Sequence, residues 1–416
     1  YRGYFDMSSQ DFDTQDYYDS DETPSSAAGY SGFAVSGFLH SISVKREGFV
    51  CGEYSINVPH YNAFGTIYVD GVPVFSHGWS SGSEDNVWSG YLGPNSTIEY
   101  QYRYIWGQSG CSLELEESSG VLTVWNGGSD NDWFNADNWN NGVPNASVNA
   151  RITPAGSSPV ISGEIAHVKD LRINPPADLT IPENEELRIY GDLNLLGELL
   201  ADEGTLSFES SCPTAAQTFS LDEPVSVKNL IKYGDGSLEV TGNDLEILGE
   251  LLISAGSLET GDLITLNSDA DGTACLGPIV NGASISGEIT VERYINAANN
   301  GWVQLASPVT SQTIADWSDD VITTGFPGSD YPTFYFNNIR LYDETLVGHR
   351  DTGLYNATNI TNPIQSLRGY QLYLAAGTMY VDVKGTPITG EQDFNVTFNS
   401  SEPEEDAAFS EAHDGW

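Results

Sequence analysis

Hydrolytic or eliminative chemistry needs carboxylates, imidazoles, thiols or cations at fixed spacing, and few such groupings occur here. The nearest carboxylate pair in the central region is Asp269-Ala270-Asp271-Gly272, and its one histidine is His167, in Ala166-His167-Val168. Hydrolases built on a β-helix use paired or triple Asp beside a Gly-His-Gly and a basic clamp. Without those companions the Asp pair reads as a turn and His167 as a surface residue. A lyase needs a strongly basic group near the abstracted proton, commonly with calcium neutralising the substrate acid. Between 122 and 295 the bases are Arg151, Lys169, Arg172, Arg188, Lys228, Lys232 and Arg293, scattered along the chain. No Gly-x-Ser-x-Gly stands at a strand-to-helix turn, and neither HExxH nor GxxxxGK[ST] occurs. The chain therefore reads as a non-enzyme.

Four cysteines, Cys51, Cys111, Cys212 and Cys275, fall in none of the close spacings that announce zinc or redox chemistry. Cys51 with Cys111 and Cys212 with Cys275 are the two disulfides weighed, with buried or free thiols as the alternative. The second pair needs a folded-back loop, because its members are more than one turn of a stacked repeat apart. Asp6, Asp11, Asp13, Asp16, Asp19, Asp21 and Glu22 form a spaced acidic run. It lacks the Gly and closing Glu of an EF-hand, and reads as a solvated loop. Trp79, Trp88, Tyr91 and Trp106 are aromatics that could stack on sugar faces, core packing being the alternative.

The chain has 416 residues, with 15 Lys+Arg against 59 Asp+Glu and a formal net charge of −44. That charge repels phosphate backbones and anionic lipid, which excludes nucleic acid and membrane surfaces as partners. It also favours cations, calcium above all, condensing on the surface or binding weakly at several sites. No stretch reaches the ~18 apolar residues of a membrane span. At 39% hydrophobic the chain is rich enough to fold, and its length predicts about two to four domains.

Those domains must be all-β. Residues 1–120 combine the acidic loop with short β-type runs such as Tyr54-Ser55-Ile56-Asn57-Val58, divided by Gly, Pro and Asn, the texture of a β-sandwich. Across 121–295 aromatics thin out and Leu, Ile, Gly and Asp dominate. Leu187 to Leu206 returns as Leu238 to Leu258 at an offset of 51 residues, then 52. Such units cannot bury their apolar edge alone and must stack, which predicts a parallel β-solenoid with about two turns per repeat. Leu195, Leu199, Leu206, Ile247, Leu251 and Leu258 should point inward. Over 296–416 aromatics return, with strand-like runs at Thr333–Phe336, Gly369–Leu374 and Met379–Val383, giving a second sandwich-like module. The opening reads as processed or truncated, and the ending as a chain that continues.

Three stretches carry resemblances. Trp125-Asn126-Gly127, Trp133, Asn138-Trp139 and Gly142-Val143-Pro144 resemble the opening of solenoid segments in large surface proteins of Bacteroidetes. Residues 282–309 and Leu367-Arg368-Gly369-Tyr370 are similar to the module that follows such solenoids. That likeness implies export by the type IX secretion pathway, and so the secretion machinery as a partner. Ile67 to Val74, with Asp70-Gly71, resembles the strand and turn of PA14-type sandwiches. Sugar-binding members of that family hold calcium with an adjacent Asp-Asp pair, where this chain has Asn62 and Ala63. Their calcium-dependent lectin chemistry is therefore not implied, and Asp70 reads as a turn residue.

The resulting expectation is a non-catalytic extracellular or cell-surface protein, an adhesin or structural stalk. Its partners would be a surface glycan, another protein or further copies of itself. The alternative is a carbohydrate-binding accessory region of a larger polysaccharide-degrading enzyme.

Overall fold

A computed structural model describes residues 3–5, 30–33, 40–49, 51–61, 64–104, 113–117 and 121–392, except 155, 211, 213–214, 280–281, 344–345 and 347–352. The acidic run, Asn62, Ala63, Trp106, Cys111 and the stretch after 392 lie outside the described residues. The chain divides into two compact units, Tyr1–Val121 and Leu122–Trp416.

In the first unit, alternating apolar residues build two antiparallel sheets. Four strands, in the order His40–Glu47, Thr97–Tyr104, Phe64–Val69 and Val72–His77, form one; Gly82–Leu92, Gly52–Tyr61 and Glu114–Glu117 form the other. Ile56, Val58, Ile67, Leu92 and Ile98 supply a buried core. Asp70 and Gly71 close the hairpin between Phe64–Val69 and Val72–His77, both in the left-handed region at φ 49° and 79°. That pair of angles suits a two-residue hairpin turn, and the Asp70 carboxylate also accepts from Thr97 N at 2.7 Å. Asp70 is the turn residue its sequence context predicts.

The second unit opens with a parallel β-solenoid of about six turns. One face is an eight-stranded parallel sheet running from Leu122–Val124 through Leu171–Ile173, Leu193–Leu195 and Ala216–Leu221 to Ser284–Ser286. The other sheet bends where Glu198–Glu209 and Val225–Tyr233 shift register, after Ala201 and Val227, so the stack has three faces. Apolar residues at every second position face inward and stack in register. Leu187, Leu206, Leu230, Leu251 and Leu276 form one such column, and Leu171, Leu193, Phe219 and Val240 another. Leu195, Leu199, Leu206, Ile247, Leu251 and Leu258 are all buried, as their alternation requires.

The repeat seen in the sequence is not a whole number of turns. Leu187 and Leu206 lie on one face, whereas their counterparts Leu238 and Leu258 lie on the eight-stranded face. One copy is displaced from the other by two turns plus one face. The unit being repeated is the strand-and-corner segment of a single face.

The two ends of the stack differ. At the start, Trp125, Trp133 and Trp139 pack edge to face, with ring centroids 5.1 and 4.9 Å apart, around the short helix Ala136–Asn138. At the far end, Ile289–Ala297 leaves the stack and pairs antiparallel with Gly377–Gly385. The compositional boundary at 295/296 falls within that strand. Beyond it stands a four-stranded antiparallel sheet in the order Gly301–Leu305, Tyr370–Leu374, Ile339–Tyr342 and Leu354–Asn356. Trp317, Phe326, Tyr370 and Leu372 form the core of this module. The strand expected at Thr333–Phe336 is instead a loop: Phe334 and Tyr335 face water, only Phe336 packs, on Trp302 and Tyr373, and no neighbouring strand pairs with the run.

Candidate functional site

The residues singled out in the sequence do not converge. Asp269 folds back on its own turn, its Oδ1 accepting from Asp271 N at 2.8 Å and Gly272 N at 2.9 Å. Gly78-Trp79-Ser80-Ser81-Gly82 joins two strands, Val72–His77 and Gly82–Leu92, so Ser80 has no helix behind it and no nucleophile elbow. Trp88 packs against the core of the first unit, while Tyr91 and Trp79 are exposed, Trp79 beside Phe64 at 6.1 Å. Among the described residues no three His, Cys, Asp or Glu side chains are grouped to hold a metal ion.

The cysteines separate as well. Cys51 and Cys212 are disulfide-bonded, and Cys275 is a free, exposed thiol. The Cys212–Cys275 bond weighed from the sequence is not formed. Cys275 lies on a short strand that continues the column Leu206, Leu230, Leu251 and Leu276. That places it about three turns from Cys212, near 14 Å at ~4.8 Å per turn, beyond disulfide reach.

A cluster of ion pairs and phenols lies on the outer side of the face that carries Leu187. Arg188 bonds Glu186 at 2.9 Å and Glu209 at 3.3 Å, and its guanidinium lies 5.0 Å from the centre of the Tyr233 ring. One turn earlier, His167 Nδ1 and the Tyr190 hydroxyl share a hydrogen bond of 3.0 Å. Parallel stacking alone assembles this cluster, since Arg188 stands opposite Ser207 and Glu209 opposite Tyr233. Sequence inspection missed it because the partners come from three successive turns. Alternation with Leu187 and Ile189 marks Arg188 and Tyr190 as outward-facing, but says nothing of who meets them.

Its chemistry is that of a self-paired ladder. Both carboxylates are engaged by one guanidinium, so Arg188 is not free to neutralise a substrate acid. Burial, with Glu209 near one and Glu186 near the other, pushes the Tyr190 and Tyr233 phenols above their usual range. They stay protonated and serve as donors, not bases.

Beneath this face lies Lys232, 1% exposed, in the inward column between Phe208 and Ile253. Its ammonium donates to the carbonyls of Tyr233 and Gly234, the latter at 3.0 Å. Burial pulls it down to about 8, against the attraction of Asp235 and Glu209. It has no route to a substrate and works as a strut at the corner.

The module after the solenoid shows the reverse. On the outer side of its sheet Trp302 is covered by Arg340 at 4.4 Å and flanked by Phe336 and Tyr373. The adjoining loop presents Ile322, Tyr331, Phe334 and Tyr335 to water.

The class defined by these features is an all-β chain centred on a parallel solenoid with a tryptophan cap, whose Arg188 cluster is paired within itself. Residues 124–211, from the tryptophan cap to the end of Glu198–Glu209, match a family model described as Domain of unknown function (DUF8693). No curated protein and no solved structure matches the chain.

Proposed function

We propose that this chain is a non-catalytic extracellular surface protein, an adhesin or structural stalk exported by a type IX secretion pathway. The observation that carries the reading is the stack of turns, capped by three tryptophans at one end and continued on one sheet by Gly377–Gly385 at the other. At ~4.8 Å per turn, about six turns make a stiff spacer roughly 30 Å long. The disulfide-bonded cysteines fit an oxidising compartment. Export by type IX rests on the resemblance of the Trp125 to Pro144 segment to secreted Bacteroidetes surface proteins. The self-paired Arg188 cluster and the raised phenols argue against lyase or hydrolase chemistry on the solenoid.

Two measurements test this. Antibodies against the chain should label intact, unpermeabilised producer cells or their medium. Incubation with acidic and neutral polysaccharides, with and without calcium, should release no unsaturated or reducing ends above background. Purely intracellular labelling would overturn the surface reading, and new chain ends the non-catalytic one.

A further inference from the structure

Four large apolar side chains stand in water within one short loop of the module: Ile322 at 63% exposed, Tyr331 at 58%, Phe334 at 47% and Tyr335 at 92%. Exposure on that scale costs solvation free energy, and a scattered surface does not concentrate it this way. The loop beneath them is braced, not slack. Asp330 accepts from Thr323 N at 2.8 Å and from its hydroxyl at 2.9 Å. Asn338, itself buried, donates to Ile322 O at 2.7 Å and accepts from Thr324 N at 2.8 Å. Thr324 Oγ1 donates to Phe336 O at 2.7 Å, closing the two arms of the loop on each other. At Gly325, φ +87°, a Cβ would meet Phe336 O at 2.6 Å, so only glycine allows this close approach. The backbone that carries the rings is therefore held before any ligand arrives, which lowers the ordering cost of binding.

We propose that this loop is a binding site for neutral polysaccharide, with sugar rings stacking on Tyr331, Phe334 and Tyr335. The proposal rests on the non-catalytic surface reading and names what its contact surface takes. Three observations select the ligand. The net charge of −44 repels polyanionic glycans and anionic lipid, leaving uncharged polymers. A protein partner needs about 800 Å² from each side, whereas four half-exposed side chains of ~150–250 Å² each offer at most a few hundred. Tyr335, 92% exposed, offers ring surface to water beside Phe334, whose ring centre lies 4.7 Å away; such a ring matches the C–H face of a pyranose, and its hydroxyl can hydrogen-bond a sugar hydroxyl. Protein hot spots, by contrast, sit in packed pockets ringed by neighbours.

The test is native affinity electrophoresis of the full chain through gels containing mixed-linkage glucan, xyloglucan or galactomannan, with alginate as the anionic comparator. At least one neutral polymer should retard the chain, alginate should not, and the retardation should survive high salt. A Phe334→Ala/Tyr335→Ala double variant should lose affinity by about tenfold or more, with an unchanged thermal midpoint. Tyr335→Phe, which keeps the ring, should retain most of the binding. Absence of retardation by all three neutral polymers overturns the site, as does unchanged affinity in the double variant. Binding to zwitterionic vesicles that the double variant abolishes, with no polymer bound, overturns it in favour of lipid. New reducing ends in the gels would instead overturn the non-catalytic reading while leaving the stacking site standing.

Discussion

Along one face of the solenoid, Leu187, Leu206, Leu230 and Leu251 occupy the same inward position turn after turn, whereas in the following module Tyr331, Phe334 and Tyr335 stand in water on a single loop. The two regions share a strand, Ile289–Ala297, yet dispose of their large side chains in opposite ways. The solenoid gains stability by repetition: each turn buries the apolar row of the one before, and on one outer face Arg188 pairs with Glu186 and Glu209. The module invests its stability in a compact core around Trp317 and Tyr370, whose rings meet edge to face at 5.5 Å, and uses buried Asn337 and Asn338 to hold a loop outward. The solenoid leaves a few large apolar side chains in water, Ile165 and Leu200 among them; the module leaves more, and more exposed. The contact function proposed above draws on the module.

The contrast is broken most directly at Phe208. Its ring is fully buried in the column between Ile189 and Lys232, 5.4 Å from Phe219. Phe208→Ala should destabilise the second unit by about 3–5 kcal/mol, because the stacked turns on either side cannot close the cavity without breaking register. Urea titration followed by circular dichroism measures it. A loss below about 1 kcal/mol would mean that the stack is loosely packed and does not act as a stiff spacer.

The same contrast explains what could be read in advance. Alternation at Leu187, Leu206 and Leu251 exposes the inward face of each strand without reference to any distant residue, so the solenoid and its core were legible. The phase of the repeat was not, because all three faces carry the same apolar spacing and a shift of one face leaves the pattern intact. Arg188 could be placed on the outside, but its partners Glu209 and Tyr233 depend on how many residues each corner consumes. Thr333-Phe334-Tyr335-Phe336 has the composition of a strand and is a loop. β-propensity reports fit to a half-buried pleated surface, and here no neighbouring strand supplies one. Cys275 likewise needed the turn count before its distance from Cys212 could be judged.

Lys232 sharpens the comparison, since it is the one cation in a column otherwise filled by Ile189, Phe208 and Ile253. Its pKa falls from 10.5 to about 8 on folding, so between those values the unfolded chain binds more protons than the folded one. Stability should therefore rise with pH from about 8 towards 10.5, where the folding penalty on the charged form disappears. Lys232→Met should raise stability at pH 7 by about 1–3 kcal/mol and flatten that rise. A decrease would show that the bonds to Tyr233 and Gly234 outweigh the cost of burying the charge.

A smaller effect is expected where the solenoid meets the module. Asp320 Oδ2 accepts from Asp382 N at 2.8 Å. Burial, with the carboxylates of Asp382 and Asp319 nearby and opposed by that backbone bond, pushes Asp320 from 3.8 up to about 6. A raised acid holds its proton more tightly when folded. Its favourable contribution is therefore present below about pH 4 and lost as pH rises towards 6. Asp320→Asn keeps an oxygen for Asp382 N but cannot ionise, so the variant should show a shallower fall over that window. Because the carboxyl is only partly buried, solvent screening keeps the difference under about 1 kcal/mol. Thermal midpoints measured at pH 4, 5, 6 and 7 would reveal it, and identical slopes in the two proteins would remove Asp320 as the cause.

The smallest expected effect is at Tyr335. With 92% of its surface in water, the side chain contributes almost nothing to the module's core, and its nearest ring contact is its own neighbour, Phe334, at 4.7 Å. The loop's shape is fixed instead by Asp330, Thr324 and Asn338, none of which Tyr335→Ala touches. Its stability should therefore stay within about 0.5 kcal/mol of the parent, the range of a surface substitution. Asn338→Ala should cost more, about 1–3 kcal/mol, since it strips partners from Ile322 O and Thr324 N. Thermal and urea denaturation of the two variants side by side gives the ratio. If Tyr335→Ala proved as costly as Asn338→Ala, the ring would be part of the fold, and the division between a stacked scaffold and an exposed contact loop would fail at the residue where it is sharpest.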